Sequence, residues 1–244
     1  MVTEEKKQKS GIYLLPNLFT TAGLFAGFYA VVAAIRGDFE SAAIAIFIAM
    51  IMDGLDGRIA RMTNTQSAFG AEYDSLADMV SFGLAPALVV YQWALLSMGK
   101  VGWMVAFIYA ACGALRLARF NTQVGISDKR YFQGLPSPAA AACIAGWVWA
   151  GTNNGLSESV ATGVALPLTF ACGILMVSTL RYHSFKELDL RGKVPFVVML
   201  VLVLVFALVA TDPPLILFAG FLIYAISGPI LTLTKLKQHK SDRK

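Results

Sequence analysis

Apolar stretches long enough to cross a bilayer follow one another along this chain with only short breaks, and nothing else restricts the fold as much. A spanning helix needs about 20 mostly apolar residues at 1.5 Å rise. Eight stretches qualify, at roughly 12–35, 40–57, 76–98, 101–118, 136–151, 159–180, 194–210 and 214–234, the fifth and seventh being the shortest. Of the 244 residues, 57% are hydrophobic and 14% charged, with mean hydropathy +0.65; soluble domains average about 45–50% and about 25%. Lipid offers no partner to an open backbone, and runs of this length satisfy theirs as helices. The expected fold is therefore all-α, a polytopic membrane bundle of about eight transmembrane helices. Residues 1–11 read as a polar interfacial arm, 12–234 as one transmembrane domain, and 235–244 as a basic C-terminal tail. The charged N-terminus and the length of the first apolar run argue against a cleaved leader.

Basic residues orient such a bundle, because Lys and Arg are retained on the cytoplasmic side. With the N-terminus placed there, that side receives 18 of the 20 Lys and Arg, and only Arg36 and Lys100 fall opposite. An even helix count puts both termini in the cytoplasm, in a multi-pass protein of the cell (inner) membrane. The net charge of +5 then reflects topology and attraction to anionic headgroups. Nucleic acid is not an expected partner, since the charges are spread over several loops and tails. Cys112, Cys143 and Cys172 lie in apolar runs without metal-like spacing and read as small packing residues.

The second apolar run ends in acid: IAMIMDGLDGRIARMTNTQSAFGAEYDSLADMVSFG. An ionisable group at membrane depth costs at least about 2.5–3.5 kcal/mol and is a functional candidate by default. Asp53 and Asp56 are three apart, Asp74 and Asp78 four apart, so each pair shares a helix face. A short loop between the two helices would bring the faces together. Four converging carboxylates need cations, and hard oxygen ligands suit Mg²⁺, Mn²⁺ or Ca²⁺. Gly54, Gly57 and Gly70 clear side chains where a phosphate would approach the backbone, and Arg61 offers a guanidinium fork to it. Helix-end caps would explain one such aspartate, but not two same-face pairs with these glycines and Arg61.

Asp53, Asp56, Gly57, Ala60, Arg61, Gly70, Asp74 and Asp78 spell Asp-x-x-Asp-Gly-x-x-Ala-Arg, eight residues, Gly-x-x-x-Asp-x-x-x-Asp. This resembles the defining motif of the CDP-alcohol phosphotransferases at every fixed position. The resemblance implies a bundle of at least six helices, often homodimeric, with its site open to the cytoplasmic leaflet. By the same resemblance Asp53, Asp56 and Asp74 would ligate a first divalent ion, Mg²⁺ or Mn²⁺. Asp78 would join them at a second ion and act as general base towards the acceptor hydroxyl. Gly57, Ala60, Arg61 and Gly70 would line the CDP and diphosphate site. On the first helix Pro16, Asn17 and Thr20 read either as a helix start, with Pro in the first turn and Asn as a cap, or as nucleotide contacts, because the family often has Pro-Asn there.

Three further stretches are similar to the phosphatidylserine synthase branch of that family: DSLADMVSFGLAPAL (74–88), RLARFN (116–121) and YFQGLPSPAAA (131–141). That likeness implies CDP-diacylglycerol and L-serine as substrates, with membrane lipid as surroundings. Serine carries a carboxylate that glycerol-type acceptors lack, so its site should offer a cation. Arg116, Arg119, Lys129 and Arg130 are the candidates, although topology alone also puts basic residues at such helix ends. Two other readings remain in view: a sibling enzyme using glycerol 3-phosphate, inositol phosphate or another alcohol, and a cation transporter. A permeation path needs neither Arg61 nor the fixed glycines. Trp93, Trp103, Trp147 and Trp149 suggest an aromatic belt on the outer side, and the small residues 139–146 a close helix contact, within the chain or at an interface between two copies.

Overall fold

The computed structural model describes residues 14–63, 65–123, 131–183 and 196–241. Helix α1 (Leu14–Ile35) turns at residues 36–38 into α2 (Phe39–Thr63). Gly37 supplies the positive φ of +78°, and the Asp38 carboxylate accepts from the Ser41 amide at 3.1 Å. That cap closes α2 at its start. Hydrogen bonding from Ser41, side chain and then backbone, holds the Asp38 carboxyl below its ordinary value.

Residues Ala68–Met98 form one rod of 31 residues, but not a uniform one. It runs as α3 (Ala68–Asp78), a π-helical turn (Met79–Leu84), α4 (Ala85–Val90), a second π turn (Tyr91–Leu95) and a 3₁₀ turn (Leu96–Met98). Pro86 is the physical reason for the first irregularity. It has no N–H to give the carbonyl four residues back, that of Phe82, and the Tyr109 hydroxyl donates to that oxygen instead, at 2.9 Å. At the second π turn the Thr162 hydroxyl donates to the Ala94 carbonyl at 2.7 Å.

The chain continues through α5 (Lys100–Gln123), β1 (Tyr131–Gln133), α6 (Ser137–Asn153), α7 (Glu158–Val177), β2 (Arg181–His183), α8 (Phe196–Thr211) and α9 (Pro213–Ser241). Among the described residues, five helical stretches are long and apolar enough to cross a membrane: Leu15–Ile35, Ala68–Met98, Lys100–Thr122, Glu158–Val177 and Pro213–Thr232. The fold is a polytopic helical membrane bundle. Each of the eight apolar stretches corresponds to a helical rod, but α2 carries several charges, while α6 and α8 are short, at 17 and 16 residues.

Boundaries differ from expectation in two places. Helix α2 runs to Thr63 instead of 57, and the next helix begins at Ala68 instead of 76. All four aspartates therefore stand on helices. The last helix extends through Ser241, so residues 235–241 continue α9 where a separate tail was expected.

Helix α6 is the centre of the bundle, packed on α2, α7 and α9. Its residues 139–146 are all buried. A Cβ added at Gly146 would lie 2.9 Å from the Phe218 Cα of α9. These small residues thus seat the chain's own α9, which corrects the expectation of a contact between copies. Three of the four tryptophans also pack against the bundle. Trp147 donates to the Ala161 carbonyl at 3.3 Å and stands edge-on to Trp93, and Trp149 donates to Glu40 at 3.3 Å. Of the four, Trp103 is the exposed one, at 52%. The three cysteines are free and buried, as expected.

The two strands pair antiparallel, Tyr131 opposite His183, Phe132 opposite Tyr182 and Gln133 opposite Arg181. Gly134 follows at φ +76°, tight against the Met176 carbonyl, a position closed to residues with a side chain. Its amide donates to Leu180 O at 2.8 Å, and that of Leu135 to Leu175 O at 2.9 Å. This short ladder fixes where α6 begins.

Candidate active site

Helices α1, α2 and α3 enclose a cavity of about 300 Å³ at the end of the bundle away from Arg36 and Lys100. Its walls include Asn17 and Thr20 from α1, Asp56, Gly57, Ala60 and Arg61 from α2, and Gly70 and Asp74 from α3. Every residue expected at the CDP site thus faces one space. At Gly57 an added Cβ would meet nothing within 4 Å, so its missing side chain leaves the cavity wall as bare backbone.

Below this cavity, and sharing Thr20, Asp56 and Asp74 with it, lies a pocket of about 10 Å³ that Asp53 and Asp78 also line. That is room for about one water or ion. Carboxylate oxygens of Asp53, Asp56 and Asp74 lie within 4.8 Å of one another. Oxygens sharing one Ca²⁺ at about 2.4 Å, or one Mg²⁺ at about 2.1 Å, are at most about 4.8 or 4.2 Å apart. The donor set, its all-oxygen chemistry and the space fit a divalent cation with little adjustment. Asp78, a turn further along the rod, feels the charges of Asp53, Asp74, Arg116 and Asp56.

Besides lining that cavity, Thr20 reaches the acid cluster. Its hydroxyl donates to Asp56 Oδ2 at 2.7 Å, and both residues are buried. A hydrogen bond of this kind orients a carboxylate behind the atoms that meet a ligand. Ser67 caps α3, its Oγ accepting from the Gly70 amide at 3.0 Å, and with Thr65, Gln66 and Ala71 it adds to the cavity wall. Sequence reasoning missed these four, although a serine one residue before a helix is a readable start signal.

Across Asp78 stands Arg116 of α5. Its Nη1 donates to the Ser137 Oγ at 2.9 Å, at the buried start of α6, while its Nε is buried without a hydrogen-bond partner. The Asp78 carboxyl and the Tyr109 and Tyr224 phenols are its ionisable neighbours. Arg119, expected beside it, faces elsewhere: its Nη1 donates to the Val177 carbonyl at 2.9 Å, closing the C-terminus of α7. Asn121 is held by Ser75, its Nδ2 donating at 3.1 Å. Lys129 and Arg130 lie outside the described residues. No sequence signal pointed to Tyr109 or Tyr224.

Similarity to known proteins runs along most of the chain. The signature of the CDP-alcohol phosphatidyltransferase family matches residues 13–175. A CDP-diacylglycerol–serine O-phosphatidyltransferase of Helicobacter pylori is 38% identical over 231 residues, 94% of this chain and 97% of that protein. The Bacillus subtilis enzyme of the same name is 33% identical over 175 residues, 71% of this chain and 92% of its own. An archaetidylserine synthase of Methanothermobacter thermautotrophicus is 32% identical over 178 residues, 72% of each. A signature spanning well over half the chain, with its eight motif residues gathered around one cleft, means that this protein belongs to the CDP-alcohol phosphatidyltransferase family.

Proposed function

We propose that the protein transfers the phosphatidyl group of CDP-diacylglycerol to L-serine, releasing phosphatidylserine and CMP. The observation that carries this reading is the cleft itself. A cavity of about 300 Å³ with Gly57 and Arg61 on its wall meets the acid cluster, and a buried guanidinium with an unused N–H lies within reach of the Asp78 charge. The names of the relatives, serine transferases matching 94% and 71% of the chain, support the same substrates.

The serine Oγ attacks the lipid-linked phosphorus, the bond from phosphorus to the CMP oxygen breaks, and the hydroxyl proton passes to Asp78. Asp53, Asp56 and Asp74 would hold one divalent cation, Mg²⁺ or Mn²⁺, with Asp78 joining at a second. Cations held there would neutralise the diphosphate and make CMP a better leaving group. Thr20 keeps Asp56 turned towards the cluster, and Arg61 grips the diphosphate through its fork. Ala60, Gly70 and Asn17 wall the nucleotide. Arg116 takes the serine carboxylate and holds the hydroxyl against Asp78, and proximity of this kind supplies a large part of such a rate. In this reading the cleft opens to the cytoplasmic leaflet of the cell membrane, both termini are cytoplasmic, and two copies assemble as a homodimer.

Purified protein given CDP-diacylglycerol, Mn²⁺ and one acceptor at a time tests it. CMP release is expected with serine, and not with glycerol 3-phosphate or inositol phosphate. Release with glycerol 3-phosphate and none with serine would overturn the assignment.

A further inference from the structure

A second proline repeats the situation at Pro86. On α9, Pro229 has no N–H for the carbonyl of Ala225, and the Tyr182 hydroxyl donates to that oxygen at 2.9 Å. Tyr182 is wholly buried, and a side chain at Gly228 would overlap its ring. Its ring centroid lies 5.6 Å from that of Tyr224, the planes at 50°. Tyr224 and Gly228 are four residues apart and share one face of α9, so Tyr182 sits on that face and sets its rotation.

Tyr182 is also opposite Phe132 in the ladder, and the chain runs from β1 through Gly134 directly into Ser137, the partner of Arg116. One small unit therefore holds the Arg116 guanidinium and the Tyr224 phenol within electrostatic reach of each other. Arg116 still has a buried N–H without a partner, and leaving such a donor unmet is costly. An acceptor carboxylate meets that need. In an α-amino acid the ammonium is one carbon away from the carboxylate, and a phenol offers it both an acceptor oxygen and a π face.

We propose that Tyr224 is a specificity residue of the acceptor site, receiving the ammonium of an amino-acid alcohol whose carboxylate is held by Arg116, and that Tyr182 is the positioning residue that locks it there. The proposal rests on the reading of Arg116 given above. It assigns α9, beyond the family-matched residues 13–175, a direct part in choosing the acceptor.

Steady-state CMP release by the full-length protein tests it, with serine varied, then CDP-diacylglycerol varied, then 3-hydroxypropanoate (serine without its ammonium) as a competitor. Tyr224→Leu is expected to raise the serine KM about tenfold, the scale of a lost cation–π and hydroxyl contact. The donor KM and the inhibition constant of 3-hydroxypropanoate should stay unchanged. Tyr224→Phe keeps the packing should the leucine variant fail to fold, and is expected to raise the serine KM about threefold by losing the acceptor oxygen. Tyr182→Phe should shift the serine KM in the same direction, again without moving the donor KM. An unchanged serine KM in a folded Tyr224 variant overturns the proposal, and so does equal weakening of serine and 3-hydroxypropanoate. Wild-type protein that releases no CMP with serine sinks the acceptor reading and this proposal together, a result distinct from normal serine turnover that ignores Tyr224.

Discussion

The two walls of the cleft are assembled in opposite ways. The donor wall comes from helices adjacent in sequence: α2 and α3 supply all eight motif residues within 26 positions, and α1 packs directly against them. The proposed acceptor wall gathers Arg116 from α5, Ser137 from α6 and Tyr224 from α9, around a six-residue ladder. A locally encoded wall keeps its geometry by helix periodicity alone. The other depends on long-range packing, so its side chains can be changed one at a time without disturbing the phosphate chemistry. Substitutions on the two walls should therefore separate kinetically.

The largest effect belongs to the residue between the walls. Asp78→Asn is expected to lower CMP release by about 10³-fold, within the range for a lost general base, with binding of CDP-diacylglycerol largely kept. Normal turnover by that variant would remove Asp78 from its role and leave the two walls without a common centre.

Next comes Arg116. Its replacement by alanine removes a charge-assisted contact of about 1.5–3 kcal/mol, which predicts a loss of about 10–150-fold in kcat/KM for serine with the donor KM unmoved. A rise in the donor KM instead would assign Arg116 to the donor wall. On that wall, Thr20→Val takes away the hydrogen bond to Asp56 and should raise the Mn²⁺ concentration for half-maximal activity about tenfold, leaving the serine KM alone. A serine-only effect from Thr20→Val would break the separation from the other direction.

The same division explains what could be read beforehand. Four aspartates at the ends of apolar runs, at spacings of three and four, are a local pattern whose expected cost in lipid demands a purpose, and their helices follow from periodicity. Arg116 and Arg119 looked equivalent, three apart at one helix end. Yet one turns inward to Ser137 and the other caps α7, a choice made by a helix about 60 residues away that no local pattern encodes. The alanine-rich run of α6 correctly announced close packing but not its partner, because a small-residue surface fits a second copy and the chain's own α9 equally well. Tyr182 and Tyr224 carried no signal of any kind: a tyrosine in an apolar run is ordinary, and its task depends on which carbonyl a proline elsewhere has exposed.

That last dependence can be tested on stability, where the smallest effect is expected. Tyr109→Phe removes the hydroxyl that serves the buried Phe82 carbonyl, and an unmet buried acceptor costs about 1–3 kcal/mol. Thermal unfolding in detergent should show the loss. If Pro86 is the cause of the orphaned carbonyl, restoring a backbone N–H there with Pro86→Ala should recover part of the loss in the Tyr109→Phe background, and do less for the wild type, whose carbonyl is already served. The two changes would then be non-additive, as expected for groups sharing one partner. Additive behaviour would mean that the π turn persists without the proline and that the tyrosine holds the rod by packing alone. The parallel pair, Tyr182→Phe with Pro229→Ala, should show the same non-additivity in stability. It should differ in one respect: rescue there should also restore the serine KM, because only that tyrosine sets the rotation of the helix that carries Tyr224.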